Sequence, residues 1–292
     1  MPSNQALRPE CPYCDRPTRV HRFGRFARNN DGSLQQRYRC TRCRRTFTLA
    51  TGSPLWRLRR LDLCSIVIHE ISSAKSQRRI AFQYQASRHT VARAVRRVAD
   101  CIRLIGLAEK PHLTPEKILY FDEMETFIHA RSKRISIMLA VSDRRHVLAF
   151  GFAEFPAVGK LGKKGLKKYG PRPDCRSEER RLFFRQLQSL AAHDCVLITD
   201  EHHAYPPLVR TYFPDATHLR FKAMRPRTGD YGELRQGGHD PLFTINHTIA
   251  MFKDNIKSLS KKTWCTFKTL RGLRDILTIY AYYHNNHLLA MK

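Results

Sequence analysis

Two sets of residues in this chain are spaced for chemistry. Four of its nine cysteines fall as Cys11-x2-Cys14 and Cys40-x2-Cys43. Each pair forms a tight turn that aims two thiolates at one ion. Two such turns complete the closed four-cysteine set of a structural zinc site, so one Zn2+ is expected. A disulfide reading is weaker, because the cysteine total is odd and the setting reads as cytosolic. Cys64, Cys101, Cys175, Cys195 and Cys265 are isolated, mostly beside apolar residues, and read as small buried hydrophobes. The second set is acidic. Lys117–Asp122 (KILYFD) and Cys195–Asp200 (CVLITD) are apolar runs that each end in aspartate. Adjacent buried strands would bring both carboxylates to one edge. Carboxylate oxygens are natural ligands of Mg2+ or Mn2+. Two such ions, about 3.5–4 Å apart, can stabilise both oxygens in a phosphodiester displacement. A lone strand-end Asp also serves as a turn former or helix cap, so the pair carries the reading.

These residues need elements to hold them. Between the cysteine pairs lie 25 residues, enough for a hairpin turning at Asn29-Asn30-Asp31-Gly32 and returning through Gln36–Arg39. This pattern is that of a zinc ribbon over residues 1–60. Residues 61–101 read as helical. Leu63, Ile66, Val67 and Ile71 share one face of a first helix, Asp62–Ser72. A second, Gln77–Phe82, turns Ile80 and Ala81 inward. Ser87 can cap a third, Arg88–Ala99, with Val91, Ala94, Val95 and Val98 on one face. Two helices joined by a short turn suit a helix-turn-helix. Residues 102–115, with Pro111 and Pro115, read as a linker. From residue 116 to 292 the pattern becomes α/β. Lys117–Asp122, Arg134–Val141 and His146–Phe152 are expected strands, with Asp143-Arg144-Arg145 as a hairpin turn. An amphipathic helix over Ser177–Ala192 and the strand Cys195–Asp200 follow, then further helices such as Ile276–Tyr283. That order predicts a mixed sheet with helices.

The 292 residues carry 53 Lys and Arg against 25 Asp and Glu, a formal charge of +28. With 42% hydrophobic residues the chain can build a core, which excludes a wholly disordered protein. No run approaches the roughly 18 apolar residues of a membrane helix, and the start lacks a signal-peptide core. A cytoplasmic protein with no membrane role is expected. Such a charge calls for a polyanion, nucleic acid before an anionic membrane surface. Residues 1–60 hold 14 Arg, no Lys and three acids. Arg37, Arg39, Arg42, Arg44 and Arg45 surround the second cysteine pair. Arg88, His89, Arg93, Arg96 and Arg97 line the polar face of the third helix, where a recognition helix would meet DNA. Gly159–Arg172 (GKLGKKGLKKYGPR), with Lys163, Lys164, Lys167 and Lys168, reads as a flexible phosphate-binding loop.

The segments CPYC, YRCTRCRRTFT, Gln77–Ala99, YFDEMETF, VLITDEHHAY and INHTIAMFKDNIKSLSKKTWCTFK together resemble insertion-sequence transposases of the DDE class. The closest groups carry a zinc ribbon and a helix-turn-helix before a ribonuclease-H-like catalytic domain. The resemblance covers nearly the whole chain. It implies Asp122 and Asp200 as the first two catalytic acids, Asn246 as a third residue, and thus a D-D-N site for two Mg2+ or Mn2+. Asn246 departs from the commoner Glu, bringing a carbonyl ligand but no charge and no general base. Glu233, His247 and Asp254 are nearby alternatives for that position. The implied partners are double-stranded DNA, as element ends and target, and further copies of the chain in a dimer or larger assembly. A non-catalytic regulator of the same lineage, or a nuclease or resolvase on the same fold, are the other readings.

Overall fold

The computed structural model describes residues 9–14, 16–28, 32–109, 114–222, 240–259 and 265–290. Its first part is a three-stranded antiparallel sheet in the order β1-β2-β3: β1 (Val20–Ala27), β2 (Leu34–Cys40) and β3 (Thr46–Phe47). The expected returning strand lies inside β2. The tip residues 29–31 of the expected turn lie outside the described residues. The core here is minimal: Cys11, Val20, Cys40 and Phe47, with Tyr38 stacked on Phe47 at 5.8 Å.

Three helices follow, α1 (Leu63–Ile71), α2 (Gln77–Gln83) and α3 (Arg88–Glu109). The Ser76 side chain accepts from the Arg79 amide, and Ser87 Oγ accepts from Thr90 N at 3.1 Å. Both helix starts are thereby capped as their sequence suggests. Leu63, Val67, Ile71, Ile80, Ala81, Val91, Ala94, Val95 and Val98 are all buried. One expectation fails. Residues 102–109, read as the start of a linker, continue α3. Arg103 explains the continuation: its Nη2 reaches Asp100 Oδ1 at 2.5 Å and Asp275 Oδ1 at 2.9 Å, tying this stretch to a later helix.

The second sheet is mixed. Its strands are β4 (Glu116–Phe127), β5 (Lys133–Ser142), β6 (Val147–Pro156), β7 (Ala191–Asp200) and β8 (Thr217–Phe221), ordered β6-β5-β4-β7-β8. β4, β5 and β6 are antiparallel neighbours, whereas β7 pairs parallel with both β4 and β8. The turn after β5 is the expected one: Arg145 N donates to Ser142 O at 2.9 Å. Further helices are α4 (Gly159–Tyr169), α5 (Arg176–Leu187), α6 (Tyr205–Tyr212), α7 (Phe243–Asn255) and α8 (Leu270–Tyr283). α5 and α6 cover one face, packing Phe183, Phe184, Leu187, Tyr205 and Val209 on Leu119, Phe121 and Leu197. α7 and α8 cover the other. There the core runs without a break from Met124, Ile135 and Ile198 to the apolar stripes of α1–α3.

The stretch Gly159–Arg172 is not a flexible loop, because residues 159–169 form α4. Gly162 and Gly165 are three residues apart and lie on one helix face. A Cβ on Gly162 would stand 2.2 Å from Ala157 O, and one on Gly165 would stand 2.6 Å from Ser132 Cβ. The glycines permit close packing and do not loosen the chain. The expected helix Ser177–Ala192 is shorter, because Ala191 already opens β7.

Candidate functional site

The two cysteine pairs converge. The four Sγ atoms lie within 4.8 Å of one another, with Cys11–Cys43 at 3.6 Å and Cys14–Cys40 at 3.9 Å. Tetrahedral ligands at about 2.3 Å from an ion stand about 3.8 Å apart. All four thiols are free, so this cluster can hold one zinc ion. Before metal enters, the thiols are unequal. The Thr18 hydroxyl, 3.4 Å from Cys40 Sγ, holds that thiol down to about 6, with backbone amides adding to the effect. Burial and its three neighbours push Cys14 up to about 12. Cys40 is therefore the ready thiolate, and an ion must draw the proton from Cys14. Among the described residues no other group of three or more His, Cys, Asp or Glu side chains converges in this way.

The acidic pair is built by register. β4 and β7 run parallel, with Phe121 opposite Thr199, so Asp122 and Asp200 follow side by side on strands about 4.8 Å apart. Side chains alternate along a strand, which assigns each acid a face. Leu119 and Phe121 point toward α5 and α6, as do Leu197 and Cys195. Ile118, Tyr120, Met124, Val196 and Ile198 point to the α7 side. Asp122 and Asp200 share the parity of the second group, so both carboxylates face α7. Asp122 was expected at a strand end, yet β4 continues to Phe127. The reason is its other neighbour, since Glu123–Phe127 still pair with Arg134–Met138 of β5. The strand that ends is β7. Beyond Asp200 the chain turns off toward α6, and among the described residues no β7 partner continues alongside β4 past Phe121.

Their hydrogen bonds fix both groups. Asp122 Oδ1 accepts from Glu123 N at 2.6 Å, and Asp200 Oδ1 accepts from His202 N at 3.0 Å. Burial, with the Asp200 charge adding, pushes the Asp122 carboxyl from its usual 3.8 up to about 7, against the Glu123 amide and the Lys253 cation. Two carboxylates this close cannot both ionise cheaply without a cation. The native state thus holds the Asp122 proton more tightly than the unfolded chain. Stability should fall as pH rises from about 4 to about 7 and stay low above it. At about 1.4 kcal/mol per unit the full cost is on the order of 4 kcal/mol. Urea titrations at pH 5 and pH 8 should show this loss in the wild type without divalent cations, and Asp122→Asn should abolish it.

No family model matches the chain, and no curated protein matches it significantly. The geometry alone therefore assigns each expected residue its place. Asn246 sits in the first turns of α7, and its Nδ2 donates to Asp240 Oδ2 at 3.1 Å. α7 packs against β4 and β5, and Lys253, seven residues on and on the same helix face, acts on Asp122. No hydrogen bond joins Asn246 to the two aspartates. Of the alternatives, His247 Nδ1 stands 3.0 Å from Arg145 Nη1, Asp254 is exposed, and Glu233 lies outside the described residues. Arg42, Arg44, Arg45, Arg88, His89, Arg93 and Arg96 are exposed, and Arg37, Arg39 and Arg97 are half-buried. Lys163, Lys164, Lys167 and Lys168 are all exposed on α4. Beyond Lys253, Lys257 is exposed, and Lys261 and Lys262 lie outside the described residues.

Sequence reasoning missed the support behind the acids. Glu123 follows Asp122 and so points to the opposite face. Its carboxylate takes Arg180 Nε at 2.5 Å and Nη2 at 3.1 Å, and Ser136 Oγ donates to it at 2.5 Å. Tyr205 OH stands 3.5 Å away and its ring stacks on His202, whose amide holds Asp200. The two side chains of the ion pair are only 9% and 10% exposed. This network therefore braces β4 and the β7–α6 turn from behind. Burial, with Arg180 adding, also keeps the His202 imidazole below its usual range, favouring its neutral form. The signal lay in two consecutive acids on one strand, which must serve opposite faces. Arg180→Ala should destabilise the chain by about 3–5 kcal/mol, since it strands Glu123 as a buried charge. Urea unfolding measures the loss, and Arg180→Ala with Glu123→Gln should recover part of it.

Proposed function

We propose that the chain is a DDE-class transposase of an insertion sequence, which binds the ends of its element, cleaves phosphodiester bonds there and joins the freed ends to target DNA. The observation that carries this reading is the side-by-side pair Asp122 and Asp200, half-buried at the end of β7 and facing a helix that carries Lys253. A five-stranded mixed sheet with its acids on two central strands supports a ribonuclease-H-like catalytic domain. The four-cysteine cluster and the capped pair α2 and α3 support a zinc ribbon and a helix-turn-helix ahead of it.

A half-buried carboxyl pushed up by desolvation, with a second carboxyl adding, is a site short of positive charge, and all-oxygen donors suit a hard cation. Asp122 and Asp200 are the residues that would hold Mg2+ or Mn2+, with the Asn246 carbonyl as a further oxygen donor while its Nδ2 donates to Asp240. When bound, such a cation supplies Lewis-acid polarisation of the phosphoryl group. The chain's own part is placement. The Glu123 and His202 amides orient the two carboxylates, the Arg180–Glu123 network holds their strands, and Lys253 adds a cation beside them. No side chain serves as nucleophile. Water attacks phosphorus and the P–O3′ bond breaks, leaving a 3′-hydroxyl and a 5′-phosphate. That 3′-hydroxyl attacks a target phosphodiester, forming one P–O bond and releasing another 3′-hydroxyl. The exposed bases of the cysteine module, α3 and α4 bind the DNA, and two copies hold two ends.

Incubation of the zinc-loaded chain with end-sequence duplex and target plasmid in Mg2+ tests this. Cleaved and joined strands are expected; hydrolysis without joining would identify a nuclease or resolvase instead. A non-catalytic DNA-binding regulator is favoured by one observation, the neutral Asn246 amide already engaged by Asp240. Binding without cleavage in either metal, unchanged by Asn246→Glu, would establish that second reading.

A further inference from the structure

We infer that the lysine face of α4 grips the phosphodiester backbone of the duplex about half a helical turn away from the bond held at Asp122 and Asp200. This inference rests on the proposed function and adds to it the place on the DNA where the large sheet takes hold. Lys160, Lys163, Lys164, Lys167 and Lys168 stand at i, i+3, i+4, i+7 and i+8 of one helix, and all five are exposed. That spacing is the spacing of a single helix face. Neighbours three and four apart lie about 5–6 Å from each other. The row is about 12 Å long, which matches about three to four base pairs of duplex. Backbone contacts of this kind carry no sequence information, so α4 supplies affinity and orientation and leaves base reading to other elements.

The opposite side of the helix aims this face. Gly162, Gly165 and Tyr169 lie there, and the close approach of Gly165 to Ser132 seats α4 on the tip of the β4–β5 hairpin. Tyr169 meets His129 of the same tip edge-on at 6.0 Å. Lys133 of β5 and Lys168 set their ammonium groups over the Tyr169 ring at 4.4 and 5.3 Å, which pins the last turn of α4 to the hairpin. The hairpin in turn fixes the distance to the acids. β7 ends at Asp200, whereas β4 and β5 stay paired to Phe127 and Arg134, and β6 follows as far as Pro156 opposite Lys133. Asp122 to Phe127 is about 17 Å along the strand, or about five base pairs of duplex. A duplex seated at the acids and lying along this three-stranded wall therefore meets α4 at its rim. An anionic membrane surface is the other polyanion a basic helix could take. A helix of that kind buries its apolar side in lipid, whereas here the side opposite the lysines rests on the hairpin, which favours DNA.

The full zinc-loaded chain is titrated against labelled duplexes by fluorescence anisotropy at several salt concentrations. The slope of log K against log salt becomes shallower by about 0.9 for each phosphate no longer neutralised. Lys163→Gln with Lys164→Gln and Lys167→Gln should make it shallower by ~2–3, equally on unrelated sequences. Lys163→Arg with Lys164→Arg and Lys167→Arg should keep it. Melting temperature and zinc content certify the fold, and if the triple Gln variant fails that check, Lys163→Gln with Lys167→Gln is expected to reduce the slope by ~1–2. Ethylation interference on the end-sequence duplex places the contact. Ethylated phosphates about 5–7 base pairs from the cleaved bond should weaken wild-type binding and have no effect on the Gln variant. A steep wild-type slope and an ethylation pattern that the variant leaves unchanged overturn the inference and spare the wider reading. Sensitivity lost at the cleaved bond itself, instead of half a turn away, overturns the placement. A flat wild-type slope overturns both. Phosphatidylglycerol vesicles are the second probe: if the variant loses vesicle binding while its duplex slope stays that of the wild type, α4 is a membrane-surface helix and the inference fails.

Discussion

Replacing Asp122 or Asp200 by alanine is expected to lower strand cleavage and strand joining by at least ~10³-fold while leaving duplex affinity within a factor of about two. The magnitude follows from what the pair is asked to supply. Charge stabilisation at a transferring phosphoryl group is worth several kcal/mol, and each 1.4 kcal/mol is about tenfold in rate. Affinity is spared because the basic residues sit on other elements, the cysteine module, α3 and α4. Asp122→Asn is the more informative substitution. It keeps the shape of the side chain and the acceptor for the Glu123 amide, and it removes the charge. It should also raise stability at pH 8 without metal, since it relieves a carboxyl that burial and Asp200 hold at about 7. An inactive but more stable variant separates a catalytic acid from a structural one. Both variants retaining full activity would remove these residues from the site.

Removing the ion from the four cysteines should have the largest effect on folding. The module's buried core is two cysteines, one valine and one phenylalanine, with the half-buried Tyr38 against it. So little apolar area cannot offset the entropy of ordering some 50 residues. Zinc binding in comparable small modules supplies about 10–16 kcal/mol at neutral pH. Chelation, or Cys43→Ser, should therefore expose residues 9–60 to protease within minutes. The continuous core of α1–α3 and the large sheet should stay protected. Duplex affinity should drop with the ordered arginine face. Metal analysis should return one zinc per chain in the wild type. A module that resists protease with no metal bound would contradict this.

The same residues explain what could be read without coordinates. Cysteine spacing encodes its own geometry, because a tight turn between two thiols leaves few other uses for them. The helix stripes of α1–α3 were legible for a similar reason, since Val91, Ala94, Val95 and Val98 repeat at the helical period. The KILYFD and CVLITD runs gave the strands of the acidic pair. They did not reveal that β4 runs on past Asp122, because that depends on β5 as a neighbour. α4 was hidden by its glycines, whose spacing matters only once Ala157 and Ser132 are seen beneath them. α6 opens with two prolines, which suit a first helical turn but read as a break. β8 is a short edge strand with little burial and no alternating pattern. The Arg180–Glu123 pair was out of reach, as 57 residues separate its members. Asn246 came from likeness of sequence, and in the fold its Nδ2 donates to Asp240.

Manganese binding followed by electron paramagnetic resonance decides whether Asp122 and Asp200 hold a cation. The zinc-loaded wild type at pH 8 should bind Mn2+, quenching the free-ion signal, and Mg2+ should compete. Asp122→Asn combined with Asp200→Asn should leave the free-ion signal undiminished, with the cysteine site still holding its zinc. Equal Mn2+ binding by the wild type and the double variant would show that the paired carboxylates are not the cation site, and the catalytic reading would fall with them.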